Sequence, residues 1–382
     1  MTRARDTADL LTFAPTAQGA ETVVPTPLII NGDMRITQRM DSDTTRNGLN
    51  IDVSGYFTHD RWTLDMNNSG AVDTTADTDV PSGLGFKNSL KIKCRTADAS
   101  LAASDRLGWR QIIEDQYCVI TRKGHSDAKK MTLAFWVRGK QTGTYIAELF
   151  DLQNTKHCAQ AYTINTADTW EKKVLVFPAD TTGKFDNDNG QGFMVNFWLA
   201  AGSDFTSGSL QTSFGSSADT NRAVGQTNLQ ASTDNTWYLT GVQLEVGEYT
   251  ATTIPPFQHM NIAAELMRCF RYFEAHAGGH DKLVGLGGMY TGSQYDCVIN
   301  TISEKRTTAT LIVPDATNYF QIRIDNEVKT GDTIDTIGGR SFFKRQHLQI
   351  TSHIPAGISQ GFNGLLATNN AASFIQLSSE LY

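Results

Sequence analysis

Apolar and polar residues alternate over most of residues 28–246, in short runs separated by Gly, Pro, Asn and Asp. The clearest run is Asn235–Gly247, in which Val242, Leu244 and Val246 alternate with polar residues. A period of two residues is typical of a strand that buries one face against a core. About eight to ten such runs without a helical period between them predict an antiparallel β-sandwich of the jelly-roll type. The other predicted strands are His59–Met66, Ser89–Cys94, Leu107–Ile113, Met131–Arg138, Thr144–Leu152, Ala159–Ile164, Trp170–Phe177 and Phe193–Ala200.

The segment Gly202–Asn235 interrupts this pattern. It is rich in Ser, Thr, Gly and Asn and contains few large apolar residues. We therefore predict a long exposed loop, and a loop of this length in a compact domain is often functional.

The apolar period changes to that of a helix between His259 and His276. Leu266, Phe270 and Phe273 fall on one stripe, which predicts an amphipathic helix of about five turns at ~3.6 residues each. Strand-like runs separated by Gly-rich turns follow the helix. The predicted architecture is mainly β, with an N-terminal arm in residues 1–27, a β-sandwich in residues 28–257, a linking helix in residues 258–280 and a smaller β domain in residues 281–382.

The apolar stripe of this helix is wider than one sandwich edge needs to cover. Leu266, Phe270 and Phe273 are therefore candidates for an oligomer interface, because three copies that meet there would bury the aromatic rings. The alternative is that the helix packs across its own β-sandwich, as most amphipathic helices do.

Composition argues against several classes of protein. The chain has 382 residues and a formal net charge of −7, whereas nucleic-acid binding requires a basic surface. No apolar run approaches the roughly 20 residues that span a bilayer, and the N-terminal residues lack the pattern of a secretory signal, so we expect a soluble product without membrane insertion. The five cysteines have scattered spacings, which indicates buried free thiols in a protein made in a reducing cytoplasm.

Two short motifs resemble sites of chemistry. Residues Gly357–Gly361 match Gly-x-Ser-x-Gly, but a nucleophile elbow needs a helix after the Ser and a triad His later in the chain, and His347 and His353 both precede it. Asp186–Gly190 is rich in oxygen ligands, but it lacks the distal Glu of a calcium loop. We therefore predict no catalytic residue, no metal, no cofactor and no enzymatic activity.

Aromatic side chains are the candidate glycan-binding residues, because sugar rings stack on exposed aromatic rings. For each candidate, a place in the core or at an interface is the competing interpretation. Trp136 and Trp198 alternate with apolar neighbours in strong strands, which favours core positions for both. The candidates are Trp62, Trp109, Trp198, Tyr290, Tyr295 and Tyr319.

Several stretches of the chain, taken in order, resemble bacteriophage virion proteins described as tail fibres or receptor-binding tail proteins. They include LIINGDMRITQR, TLAFWVRGKQTGTYIAEL, FMVNFWLAAGSDF, WYLTGVQLEVG and AAELMRCFRYFE. The resemblance runs from about Leu28 to the C-terminus. It implies an N-terminal arm that attaches to the particle, a carbohydrate-binding-like jelly roll and a C-terminal β domain, commonly in a homotrimer.

Two functions from different classes follow from this resemblance. The first is a non-enzymatic short tail fibre or receptor-binding protein, synthesised in the host cytoplasm and assembled into the virion, that recognises a host surface glycan. The alternative is a capsid decoration protein (head fibre) or tail adaptor that binds only other virion proteins. A polysaccharide depolymerase is disfavoured, because the chain has no solenoid repeat and no recognisable pair of catalytic carboxylates.

Overall fold

The computed structural model describes residues 27–39, 52–291, 294–314, 318–324, 327–331, 334–339, 347–353, 360–361 and 363–382. Nearly all of the predicted N-terminal arm and the serine of the Gly-x-Ser-x-Gly motif lie outside these residues. The protein is mainly β, with 42% of the chain in strands, which confirms the predicted fold class at that level.

The first part of the chain folds into two sheets of antiparallel strands. One has the order β1 (Thr63–Asn67), β4 (Arg106–Glu114), β9 (Gln191–Ala201), β6 (Gly143–Asp151), β7 (Lys156–Ile164) and β10 (Gly215–Ser216). The other has the order β2 (Ala71–Asp77), β3 (Ser89–Thr96), β11 (Thr236–Val246), β5 (Met131–Gly139) and β8 (Glu171–Phe177). The predicted β-sandwich is confirmed, whereas its finer assignment as a jelly roll stays a prediction.

The core of this sandwich consists of the side chains that alternate inward from both sheets. Trp62, Trp109, Phe197 and Trp237 are all 0% exposed. The Trp62 and Trp109 rings stack with centroids 6.5 Å apart, and those of Phe197 and Trp237 lie 5.8 Å apart. Trp237 enters this core from β11, which lies between β3 and β5, so the strand with the clearest alternation occupies the middle of its sheet.

The segment Gly202–Asn235 packs onto the outer face of the six-stranded sheet, so the prediction of an exposed loop is wrong. Its Ala223 side chain is fully buried against that face, and its Leu229 side chain is fully buried in the core between the two sheets. Arg222 Nε, from the same segment, lies 2.8 Å from the Oε1 atom of buried Glu148 on β6. This ion pair and the small apolar contacts hold the segment against the sheet although it contains few large apolar residues.

The helical turns of the first part are α1 (Asp115–Cys118), α2 (Ser203–Thr206) and 3₁₀ turns at Val119–Thr121, Asp219–Asn221 and Leu229–Ala231.

The predicted helix between the two β parts is shorter than its periodicity indicated. Helix α3 covers Ile262–Phe270, and the Oδ1 atom of its N-cap residue Asn261 accepts a hydrogen bond from Ala263 N at 2.9 Å. Residues Phe273–Gly278 form strand β12, which pairs with the C-terminal strand β21 (Phe374–Ser378). The predicted extension to His276 is wrong, because this strand pairing overrides the local helical period.

The helix packs within its own chain. Phe270 and Phe273 are only 9% and 1% exposed, and Leu266 is half-buried against a cluster that includes Tyr272 and Leu381. The prediction that Phe270 and Phe273 lie at an oligomer interface is therefore wrong, because both rings are already buried within the chain.

The C-terminal part consists of two further sheets and has its own core. A three-stranded sheet has the order β12, β21 and β15 (Thr310–Ile312). A seven-stranded sheet has the order β17 (Glu327–Gly331), β16 (Phe320–Ile324), β20 (Asn363–Thr368), β13 (Leu283–Met289), β14 (Gln294–Asn300), β19 (His347–His353) and β18 (Ile334–Gly339). Val284, Tyr295, Phe320 and Leu366 contribute to the core on this sheet.

Buried ion pairs join the two β parts. The Arg61 guanidinium of the sandwich contacts the carboxylate of Glu380 near the C-terminus, and Arg39 Nη2 lies 2.9 Å from Glu380 Oε1. Arg271 Nε, after α3, lies 2.7 Å from Glu114 Oε1 at the end of β4. The residues near the C-terminus therefore help to hold the two β parts together. Breaking one of these buried pairs would leave an uncompensated charge.

Candidate functional site

The outer face of the five-stranded sheet carries a half-buried tryptophan. On β5, Leu133, Phe135 and Val137 point into the sandwich core and are fully buried. Successive side chains of a strand point to opposite faces, so Trp136 and Arg138 lie on the outer face. The prediction that Trp136 is a core residue is therefore wrong. Trp136 and Arg138 are two residues apart and therefore share one face of the strand. The charge of Arg138 was the sequence signal that this face is the outer one.

A glycine in the neighbouring strand allows two rings to approach the sheet. The pairing of β11 with β5 is irregular between Thr240 and Gln243, and Gly241 in this bulge has φ +64°. A Cβ atom at Gly241 would lie 2.6 Å from Phe86 Cζ and 3.1 Å from Trp136 Cδ1. A glycine is therefore needed both for the left-handed backbone and for the close approach of these rings.

Three rings form one wall of a groove beside Trp136. The Phe86 centroid lies 5.2 Å from that of Phe257 and 4.9 Å from that of His259. His259 Nε2 lies 2.9 Å from the carbonyl oxygen of Leu84, which fixes the imidazole at the rim. We call this the Trp136 groove. Its volume is about 480 Å³, and it is lined by Gly83, Leu84, Phe86, Ala134, Trp136, Lys172, Gly241, Gln243, Ile254, Pro256, Phe257 and His259.

The Trp136 groove has the composition of a small-ligand site. Ligand sites are mostly apolar and aromatic, with a few polar groups that orient the ligand. Here the polar groups are the exposed Lys172 ammonium, His259 and the buried Gln243 amide, whose Nε2 donates a hydrogen bond to the Pro255 carbonyl at 2.9 Å. The groove can therefore hold a flat ring on its aromatic floor while polar groups at its edge contact ring substituents.

A smaller cavity of about 170 Å³ lies next to the groove and shares Gln243 and Phe257 with it. Two of its three acidic groups have basic partners within the fold: the Asp33 carboxylate pairs with Arg35, and Glu265 Oε2 lies 3.0 Å from Arg268 Nη1. Burial raises the pKa of Asp33 above its usual range despite the neighbouring Arg35. These pairs support the packing of residues 27–35 onto α3, so we assign this cavity a structural role.

A second aromatic group lies further along the same sheet face. The Tyr238 ring is flanked by Lys91 Nζ at 5.4 Å and by Arg138 Cζ at 4.9 Å, and the Trp170 ring meets it edge-on at 6.1 Å. Trp170 Nε1 donates a hydrogen bond to Asp79 Oδ1 at 2.9 Å. The Tyr238 ring is 7% exposed because these neighbours cover it, which leaves the half-buried Trp136 as the better stacking surface.

The structure corrects most of the predicted glycan-binding residues. Trp62, Trp109 and Tyr295 are 0% exposed and Trp198 is 1% exposed. A ring inside a core cannot contact a sugar, so Trp62, Trp109 and Tyr295 are wrong as glycan-binding residues, whereas the burial of Trp198 confirms the core position that its strand pattern favoured. Tyr290 is 63% exposed and Tyr319 is half-buried, but both belong to the C-terminal part and neither lines the groove.

The Asp186–Gly190 segment is held by hydrogen bonds within the chain. Gly190 N donates to Asp188 Oδ1 at 2.6 Å, and Asn189 Nδ2 donates to the Arg306 carbonyl at 2.5 Å. Across the part of the chain that the structure describes, no three His, Cys, Asp or Glu side chains are grouped so that they could hold a metal ion. Within the same residues, no helix has both the length and the apolar character needed to cross a bilayer.

No family model and no curated protein matches this chain. Among solved structures, it is similar to the enzymatically active domain of tailspike protein 4 of bacteriophage CBA120, with 16% identity and a TM-score of 0.30 over 58% of this chain and 21% of that chain. It is also similar to a CBM4 structure (11% identity, TM-score 0.29, 56% of this chain and 97% of that chain). A putative sugar binding protein from Bacteroides thetaiotaomicron gives 13% identity and a TM-score of 0.29 over 58% of this chain and 100% of that chain. Likenesses at this level do not indicate what this chain binds.

Proposed function

We propose that this protein is a non-enzymatic bacteriophage virion protein, a short tail fibre or receptor-binding protein, that binds a host surface glycan in the Trp136 groove. The observation that carries the proposal is the half-buried indole of Trp136 in an aromatic groove of about 480 Å³ on the outer sheet face. The resemblance of the sequence to phage tail proteins supports the virion location. Attachment through residues 1–27 and assembly as a homotrimer belong to the same proposal.

The groove suits a pyranose ring for a physical reason. One face of such a ring presents C–H groups, and an indole offers a large, rigid apolar surface at a low cost in side-chain entropy. Phe257 adds a second half-buried ring, while Gln243 and Lys172 provide hydrogen-bonding groups for hydroxyl substituents. The lining of the groove contains no carboxylate, whereas glycoside hydrolysis requires a pair of them. This supports binding without cleavage.

The alternative, a decoration or adaptor protein that binds only other virion proteins, is favoured by a different surface. On the seven-stranded sheet, Leu286 and Val328 are 70% and 57% exposed. Leu365 pairs in register with Leu286 on one side and with Arg323 on the other, and Arg323 pairs with Val328. These positions form one row across the sheet that carries three apolar side chains and one arginine, and exposed apolar side chains close together are typical of protein contacts.

Binding of the purified protein to host cells separates the two functions. We expect the wild-type protein to bind host cells and to block infection, and Trp136→Ala to lose at least about tenfold in affinity, which corresponds to about 1.4 kcal/mol. Tyr290→Ala is the matched control, because it removes an exposed aromatic ring outside the groove. A wild-type protein that neither binds host cells nor blocks infection would favour the decoration or adaptor function.

A further inference from the structure

The Trp136 groove differs in charge from the rest of the molecule. The chain has a formal net charge of −7, yet none of the groove-lining residues is Asp or Glu. Two of them, Lys172 and His259, are basic. The acidic groups Asp33, Glu245 and Glu265 line the neighbouring smaller cavity instead. The groove is therefore a locally basic site on an acidic protein.

Lys172 is the cation best placed to contact a ligand on Trp136. It lies on edge strand β8 directly opposite Trp136 on β5, and both residues are on the outer face. Directly opposed residues of an antiparallel pair have Cβ atoms about 5 Å apart. Lys172 is exposed, and it forms no ion pair with any other residue that the structure describes. Its ammonium group is thus free to meet a charge on the ligand.

Two other cations on this sheet face, Arg138 and Lys91, already have acidic partners, and Lys93 lies on β3, none of whose residues lines the groove. Arg138 Nη2 lies 3.3 Å from Asp168 Oδ1 and its Nη1 contacts Asp79, while Lys91 Nζ lies 3.5 Å from Asp77 Oδ2. His259 has a weaker partner, because its Nδ1 lies 3.9 Å from Asp33 Oδ2. One unpaired positive charge, that of Lys172, therefore faces the groove.

We infer that the groove selects an acidic sugar, a pyranose that carries a carboxylate, with its ring on Trp136 and its carboxylate on Lys172. The inference rests on the proposed glycan-binding function. A single carboxylate matches the single unpaired ammonium, whereas a phosphate monoester would bring ≈ −1.5 to −2 charges that one lysine does not neutralise. A pyranose ring that stacks on the indole also extends its substituents over β8, toward Lys172.

The test compares two oligosaccharides of equal length that differ at one sugar, glucose in one and glucuronic acid in the other, by titration calorimetry at low salt. We expect the wild-type protein to bind the acidic form about three- to tenfold more tightly, and this preference to decrease in high salt, as for a partly exposed ion pair. Lys172→Gln should abolish the preference by weakening the binding of the acidic form to about the level of the neutral form, whose hydroxyl groups the glutamine amide can still contact. Lys93→Gln, which removes an exposed lysine on the same sheet face, should change neither affinity.

The outcomes separate this inference from the proposed function. Equal binding of both oligosaccharides by the wild-type protein, or a preference that survives in Lys172→Gln, would overturn the acidic-sugar assignment while glycan binding itself stands. Tighter binding of a 6-sulfated analogue than of the glucuronic acid form would overturn the choice of a carboxylate. If no glycan binds, and Trp136→Ala behaves like the wild type on host cells, both the inference and the proposed function are wrong.

Discussion

Substitution of Gly241 by Ala perturbs the groove through the backbone that forms its floor. Gly241 has φ +64°, a conformation that costs an L-residue about 1–2 kcal/mol. The added Cβ would also lie 2.6 Å from Phe86 Cζ and 3.1 Å from Trp136 Cδ1, which is closer than packed atoms allow. Phe86 is 8% exposed, so its ring has little free space to move into. Overpacking of this kind costs about 1–3 kcal/mol.

The sum of the two effects is about 2–5 kcal/mol for Gly241→Ala. The chain offers a matched control in Gly83, which has φ +76° and no atom within 4 Å of the position that a Cβ would take. Gly83→Ala therefore carries the backbone cost alone, about 1–2 kcal/mol. The difference between the two variants isolates the contact with the rings.

The assay is equilibrium unfolding in urea, followed by circular dichroism and by tryptophan fluorescence. Because the chain has two β parts that can unfold separately, the transition midpoints of the two probes are compared before any free energy is calculated. We also expect Gly241→Ala to weaken glycan binding, since displacement of Phe86 or Trp136 changes the floor of the groove. A Gly241→Ala protein that is no less stable than Gly83→Ala, with unchanged binding, would refute this account of the groove.

Two further predictions concern pH and the N-terminal arm. Burial raises the pKa of Asp60 from 3.8 to about 6, so between about pH 4 and 6 the folded protein binds more protons than the unfolded chain, and this group lowers stability as pH rises. The stability of Asp60→Asn relative to wild type should therefore increase by up to about 3 kcal/mol from pH 4 to 7, and a pH-independent difference in urea midpoints would contradict this. Deletion of residues 1–27 should leave a folded, soluble oligomer that no longer enters virus particles, which sedimentation of assembled particles tests. Normal incorporation of the truncated protein would remove the attachment role.

The alternating pattern predicted the strands and the fold class because a strand that buries one face must repeat every two residues. The runs at Met131–Arg138 and Asn235–Gly247 lie in adjacent strands of one sheet. Alternation alone did not show which phase faces the core, and Trp136 was assigned to the wrong face. The sequence did contain this information, because Trp136 shares its strand face with Arg138 and a charged residue seldom points into a sandwich core.

Other features depended on contacts between distant parts of the chain. The helical period continues through Phe273, but pairing of β12 with the C-terminal strand takes those residues into a sheet. The segment Gly202–Asn235 has an exposed composition, and its Arg222 is nevertheless held by Glu148, which lies 74 positions away in the chain.

For the candidate site too, the sequence shows some features and only the tertiary structure shows the others. Aromatic residues are apparent in the sequence, but their burial is not, and Trp62 is enclosed while Trp136 borders a groove. The groove itself requires Phe86, Gly241 and Phe257, which come from three separate segments. Local periodicity depends on neighbouring residues and is therefore present in the sequence, whereas a cavity is the space left by segments that only the tertiary fold brings together.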